Sequence, residues 1–245
     1  MRMIKAGIKN ESIKLFNLKK YKVLLLLLGL FSFLGNILRA IIPGSAIISF
    51  INSPFLILTI LTQFMLPLII AMTAADLFTA EQEKGVIKAI ITRPVGRINI
   101  FISKALTIAL YTILALMTCL VISLLSGIGF NGIESVNIVE TVIAYILSIV
   151  PIIPIVLFAV TISQLCKNSS STVMVFVLSY IIILATATII PSINPMVFTT
   201  YTGWYKLFIG AAAPVGKILN VLTLLAAYTL IFFAAGSWAF EKKEY

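Results

Sequence analysis

The stretch VLLLLLGLFSFLGNILRAII occupies residues 23–42, and Arg39 is its only ionisable side chain. As a helix rising about 1.5 Å per residue it is about 30 Å long, the thickness of a bilayer's hydrocarbon core. A surface helix of a soluble domain keeps a polar face, whereas the block Leu24 to Leu28 already covers more than a full turn with leucine. Lipid is therefore the solvent of this segment. The rest of the chain follows the same rule: of 245 residues, 61% are hydrophobic and 11% charged. A soluble domain runs at about half and about one quarter. A soluble fold of this size has too little polar surface to cover so much apolar surface.

Further stretches have the length of a span. The second follows Ser53-Pro54 and runs to about Ala75, joined to the first by a turn at Pro43-Gly44. The third runs from near Ile100 to near Gly127, and the fourth from about Val142 to Leu165. The fifth runs from Thr172 to Ile190 and the sixth from Ile218 to Phe240. Pro151 and Pro154 predict a kink in the fourth, tolerated where neighbouring helices satisfy the freed carbonyls. The expected fold is an all-α membrane protein with six transmembrane helices, forming a single transmembrane domain over residues 1–245.

Charge sets the expected orientation. The chain has 18 Lys and Arg against 8 Asp and Glu, a net +10. If the N-terminus is cytoplasmic, the inner segments collect Arg2, Lys5, Lys9, Lys14, Lys19, Lys20 and Lys22, then Lys84, Lys88, Arg93, Arg97 and Lys104, then Lys167, Lys242 and Lys243. Only Arg39, Lys206 and Lys217 fall outside. The bias puts both termini inside and explains the basic charge without nucleic acid as a partner. There is no histidine, which excludes His-based triads, His metal sites and imidazole proton relays. Cys119 and Cys166 lie far apart in or beside apolar runs, so they form neither a CxxC pair nor a disulfide framework. No catalytic residue and no metal site is expected.

Residues 1–22 are too long for the n-region of a signal peptide, and Arg39 and Pro43 stand where a cleavage site needs small residues. Ile4, Ile8, Ile13, Leu15, Phe16 and Leu18 interleave with lysines, as in an amphipathic helix on the inner leaflet. A basic topology anchor fits the same pattern. The inner loop 76–104 carries the richest chemistry, opening DLFTAEQEKGVIKAIITRPVGR over residues 76–97. Thr79 with Gln82 reads as a capping box that starts a short surface helix. Val86, Ile87, Ile90 and Ile91 form an apolar stripe at helical spacing, flanked by Glu81, Glu83, Lys84 and Lys88. Pro94 ends the helix and Gly96 permits the turn into the third span. The stripe is too short to span and fits a groove on a soluble partner; a lipid-surface loop is the plainer alternative.

The run Asp76-x4-Glu81-x3-Gly85, followed by Arg93-Pro94-Val95-Gly96-Arg97 and then Lys104, resembles the signature of ABC-2 type transporter permeases. Span number and length agree along the whole chain. The resemblance implies the membrane subunit of a bacterial ABC exporter in the plasma membrane, not an enzyme, with Glu81 to Ile91 as the coupling helix between the second and third spans. It implies contact with the ATPase through Glu81, Glu83, Gly85, Val86, Ile87, Lys88, Ile90, Ile91, Arg93, Pro94 and Arg97. The implied partners are two copies of an ABC ATPase, a second permease subunit (identical or related) and membrane lipid. The chain has no G-x-x-x-x-G-K-[ST] loop, so ATP and Mg belong to the partner and no cofactor is expected on this chain. The implied cargo is amphipathic or lipophilic, with a peptide or drug favoured.

The outer segment 191–217 carries Tyr201, Trp204, Tyr205 and Phe208, aromatics suited to the headgroup level. Short re-entrant outer helices are expected there, as in related permeases, and these four side chains are the expected outer gate; an interfacial anchor is the equal alternative. Arg39 is expected to snorkel, and Asn36 and Gln63 to bond neighbouring helices. An ATP-independent carrier or channel is the alternative function. The absence of an Asp, Glu or His chain through the spans counts against it. An intramembrane metal or aspartyl enzyme finds no residues for its chemistry.

Overall fold

Runs of apolar residues long enough to satisfy every backbone polar group inside one helix become six helices able to cross a membrane. The computed structural model describes residues 2–41, 54–86, 96–131, 137–209 and 215–243. Helix α1 covers Arg2–Asn17 and α2 Lys19–Ile41. They are followed by α3 (Phe55–Glu83), α4 (Arg97–Asn131), α5 (Ile138–Leu165), α6 (Ser169–Ile189) and α7 (Val215–Lys242). Between α6 and α7 run two 3-10 segments, Asn194–Met196 and Phe198–Phe208. Among the described residues there is no strand.

Helices α3 and α5 form the centre: 50% and 56% of their most apolar windows are buried, against 22% for α6 and 11% for α7. Small and polar residues set the close approaches, as expected where apolar contact alone does not select partners. Gly236 of α7 lies where a Cβ would meet Thr161 Oγ1 at 3.0 Å and the Phe101 ring at 3.1 Å. Thr161 Oγ1 donates to the Phe232 carbonyl at 3.0 Å, joining α5 to α7. Asn36 of α2 donates to Ser126 Oγ at 2.7 Å and to the Ser123 carbonyl at 3.2 Å, joining α2 to α4 in the bundle role expected of it.

Several boundaries differ from the sequence expectation for local reasons. The fourth span starts at Ile138, because the Asn137 side chain accepts from the Glu140 N–H and caps it earlier than Val142. It is interrupted at Ser148, three residues before Pro151, whereas Pro154 lies inside the continuous helix Ile149–Leu165. The second span does not stop near Ala75. It continues through a π turn, Ala75–Thr79, to Glu83, after an earlier π turn at Leu61–Met65. Thr79 is therefore not a capping box residue: its backbone is helical, and its hydroxyl donates to the Ser163 carbonyl at 3.1 Å and meets Thr172 Oγ1 at 2.8 Å. Its partners are α5 and α6, so tertiary contacts override the local capping signal. The helix ends at Gly85, whose φ of +68° lies in the left-handed region and whose N–H donates to the Gln82 carbonyl at 3.0 Å. Glu81 to Ile91 is thus not one uninterrupted helix.

Candidate functional site

At the end that carries both described chain ends, α1, α3 and α4 meet around a buried ionic cluster. Lys104 of α4 is fully buried, which is tolerable for an ammonium only when paired and hydrogen-bonded. Its Nζ donates to Glu81 Oε2 at 2.7 Å, to Glu11 Oε2 at 3.2 Å and to the Leu77 carbonyl at 2.8 Å. It also lies 5.8 Å from the centre of the Phe78 ring. Lys14 completes the square, with Nζ at 3.0 Å from Glu11 Oε1 and 3.2 Å from Glu81 Oε1. Burial works to lower the Lys14 pKa, but the charges of Glu11 and Glu81 outweigh it and hold the ammonium above its ordinary value.

The fold supplies these positions by helical spacing. Gly7, Glu11 and Leu15 lie on one face of α1, the face turned to α4. A Cβ on Gly7 would come within 2.5 Å of Ser103 Oγ, so glycine allows α1 to approach α4 one position before Lys104. Leu15 is 1% exposed. The amphipathic pattern of α1 thus packs one face on the bundle and leaves Lys5, Lys9 and Ile13 exposed.

A second polar knot pins α2 to α3 just beyond the cluster. Asp76 bonds both the Tyr21 hydroxyl and the Lys20 ammonium. Tyr21 also donates to the Met72 carbonyl at 3.4 Å, and Tyr111 of α4 donates to the Tyr21 carbonyl at 2.9 Å. Asp76 and Leu77, whose carbonyl accepts from Lys104, both lie in the π turn Ala75–Thr79. Such turns shift the backbone ladder and gather at functional places in helices.

The remaining ends are stitched by side chains on helix termini. Glu83 accepts from the N–H and hydroxyl of Ser169 at 3.3 and 3.4 Å, a carboxylate at the N-terminus of α6. Arg97 donates to the Glu241 carbonyl at 2.6 Å, a cation at the C-terminus of α7. Gln82 bonds Gln164 at 3.1 Å, and Lys243 donates to Gln82 Oε1 at 2.7 Å and to the Gln164 carbonyl at 2.6 Å. Burial pushes the Lys243 pKa down, with the neighbouring Cys166 opposing that shift.

The DUF2705 family, described as a protein of unknown function, matches residues 31–245. The chain belongs to the DUF2705 family. No curated protein matches it. The DUF2705 match takes in Asp76, Glu81 and Lys104, while α1 with Glu11 and Lys14, and the Lys20–Tyr21 pair, precede it.

Of the residues expected to meet an ATPase, the structure brings Glu81 into the cluster, Glu83 onto α6 and Arg97 onto α7. Gly85 and Val86 follow at the exposed end of α3, with Val86 42% exposed. Ile87, Lys88, Ile90, Ile91, Arg93 and Pro94 lie outside the described residues. The sequence expectation did not single out Glu11, Lys14, Lys20 or Tyr21. Glu11 is the only acid in the first 75 residues, set among seven basic ones before residue 23, and that isolation was the available signal.

At the opposite end of this DUF2705 chain, two of the four expected gate aromatics, Trp204 and Tyr205, are anchored on the bundle, while Tyr201 and Phe208 contact residues of their own outer segment. Trp204 and Tyr205 are buried, at 4% and 0% exposure. Pro151 has no N–H, so the Leu147 carbonyl loses its donor one turn on; Trp204 Nε1 supplies it at 2.6 Å. The Tyr205 hydroxyl donates to the Phe55 carbonyl at 3.1 Å and meets Thr59 Oγ1 at 2.7 Å. Burial raises its pKa, against the Thr59 hydrogen bond. Tyr201 donates to the Pro195 carbonyl at 2.7 Å, and Phe208 stands edge-on to Trp204 at 5.1 Å.

Proposed function

We propose that the chain is the membrane-spanning subunit of an ATP-driven ABC exporter, working with a separate ATPase that docks at the end carrying both termini. The observation that supports this reading best is the ionic cluster. Glu81 and Lys104 of the permease-like motif are joined to each other and to α1 in this cluster, and Asp76 of the same motif is joined to α2 in the knot beside it. A push on the segment after Glu83 reaches several helices at once. Buried ion pairs and glycine-tight contacts yield less than loose surface packing, so the unit transmits displacement as a body. Glu83 on the α6 terminus and Arg97 on the α7 terminus extend the same coupling to the remaining helices.

In this reading the basic end faces the cytoplasm of a bacterial plasma membrane, in keeping with the placement of the lysines. Glu83 to Ile91, interrupted at Gly85, is the part that enters the ATPase, and a second permease subunit completes the pathway. The aromatic segment 198–208 closes the outer side. The cargo is amphipathic or lipophilic, with a peptide or drug favoured. The test is site-directed crosslinking in membranes. A cysteine introduced at Ile87 or Lys88 crosslinks to a soluble ATPase chain, and one at Lys206, at the other end, does not. Failure with linkers of several lengths removes the docking assignment.

A further inference from the structure

Helices α2 and α3 run antiparallel and are held together near each end of the groove between them. At the basic end the Tyr21 and Lys20 side chains hold Asp76. At the other end the Gly35 backbone meets Ile57, whose Cδ1 would lie 2.7 Å from a Cβ there. Between these pins is an open cavity of about 350 Å³, walled by residues such as Leu24, Leu28, Phe31, Met65, Ile69 and Met72. The leucines at its lip face outward, with Leu27 51% and Leu68 44% exposed. Leu24 to Leu34 spans about 15 Å of helix, so the groove has the length of much of one acyl chain.

One turn below, the same two helices and the end of α1 line a second cavity of about 350 Å³, bordered by Lys14, Lys20, Tyr21, Asp76, Glu81 and Lys84. The knot of Tyr21 with Met72 and Asp76 separates the two cavities by a single side chain. The carboxylates of this lower cavity are already engaged: Asp76 by Tyr21 and Lys20, Glu81 by Lys14 and Lys104. Among the described residues no carboxylate pairs with Lys84, and Lys19 and Lys22 on the adjoining turn of α2 are also exposed and unpaired. The mouth therefore presents net positive charge directly under an apolar groove.

We propose that this paired cavity is a specific site for an anionic phospholipid, its acyl chain in the α2–α3 groove and its phosphate at Lys84. A free phosphate would use only the lower cavity, and a neutral lipid only the upper one; the stacking of both on one helix pair selects a single molecule carrying both parts. Contacts near each end of the groove, at Tyr21–Asp76 and at Gly35–Ile57, bound it along the helix pair. The proposal is independent of the exporter reading.

The test is native mass spectrometry of the full chain in detergent, titrated with dioleoylphosphatidylglycerol and, separately, dioleoylphosphatidylcholine. The expected result is a retained phosphatidylglycerol adduct at concentrations where phosphatidylcholine gives little. Lys84→Gln lowers phosphatidylglycerol affinity by about fivefold, the effect of one lysine at an anionic lipid surface. Leu68→Trp, which fills the groove from its lip, lowers retention of both lipids. Both changes are at exposed side chains, and an unchanged melting temperature without lipid shows that the variants are folded. Equal retention of the two lipids overturns the proposal. So does a phosphatidylglycerol adduct untouched by either variant, or a groove whose filling abolishes a dimer of the chain rather than a lipid adduct.

Discussion

Lys104 shows what a single charge does inside this bundle. With no exposed surface, its ammonium is held by two carboxylates and a carbonyl, and removing it strands Glu11 and Glu81 in a site built for a cation. Lys104→Met is expected to cost about 3–5 kcal/mol, the range for breaking one side of a buried ion cluster. Melting of the purified protein measures this, and restoring neutrality with Glu11→Gln in the same chain should recover part of the loss. Lys14 gives the corresponding pH dependence. Its folded pKa lies above the ordinary 10.5, so its contribution is complete below about pH 10.5 and is lost as pH rises through the folded value. The melting-temperature gap between wild type and Lys14→Gln should be constant through neutral pH and shrink only above pH 10.5. A gap that closes on acidification to pH 6 instead would contradict the assignment.

At the scale of elements, the helices are interrupted where a neighbour supplies what the break removes. Pro151 frees the Leu147 carbonyl and Trp204 fills it, so Trp204→Phe should cost about 1 kcal/mol in the native background. In a Pro151→Ala chain, where the restored N–H serves Leu147, the same change should cost much less; equal costs in both backgrounds would break the link. Gly85 ends α3 in left-handed geometry with open space around it. Gly85→Ala should therefore destabilise by about 1 kcal/mol through backbone strain alone, while Gly85→Asn costs less. These features also mark how far the sequence could be read. Span number and approximate limits followed from hydrophobic length, because lipid penalises any other backbone arrangement. The π turn at Ala75–Thr79 had no local signal, and Thr79-x-x-Gln82 carried a misleading one, since both residues are spent on contacts with α5, α6 and the C-terminal segment. The motif acids and Lys104 were visible in the sequence. Their partner Glu11 stood out only as a lone acid, because a pairing across 93 positions leaves no periodicity to find.

At the scale of the whole molecule, the structure is asymmetric from centre to edge. Helices α3 and α5 are buried within the chain, whereas α6 and α7 present most of their apolar surface outward. The basic end is knit by ion pairs and helix-terminal contacts, and the other end by aromatic side chains on freed carbonyls. In the exporter reading, these contacts carry a displacement from the basic end to the rest of the bundle. The most direct measurement is purification of the chain from its own membrane in mild detergent, followed by mass spectrometry of everything that co-elutes. The exporter reading predicts a stoichiometric soluble chain carrying a P-loop ATPase sequence, lost on Lys104→Met. A chain that elutes alone in several detergents while remaining folded would contradict it.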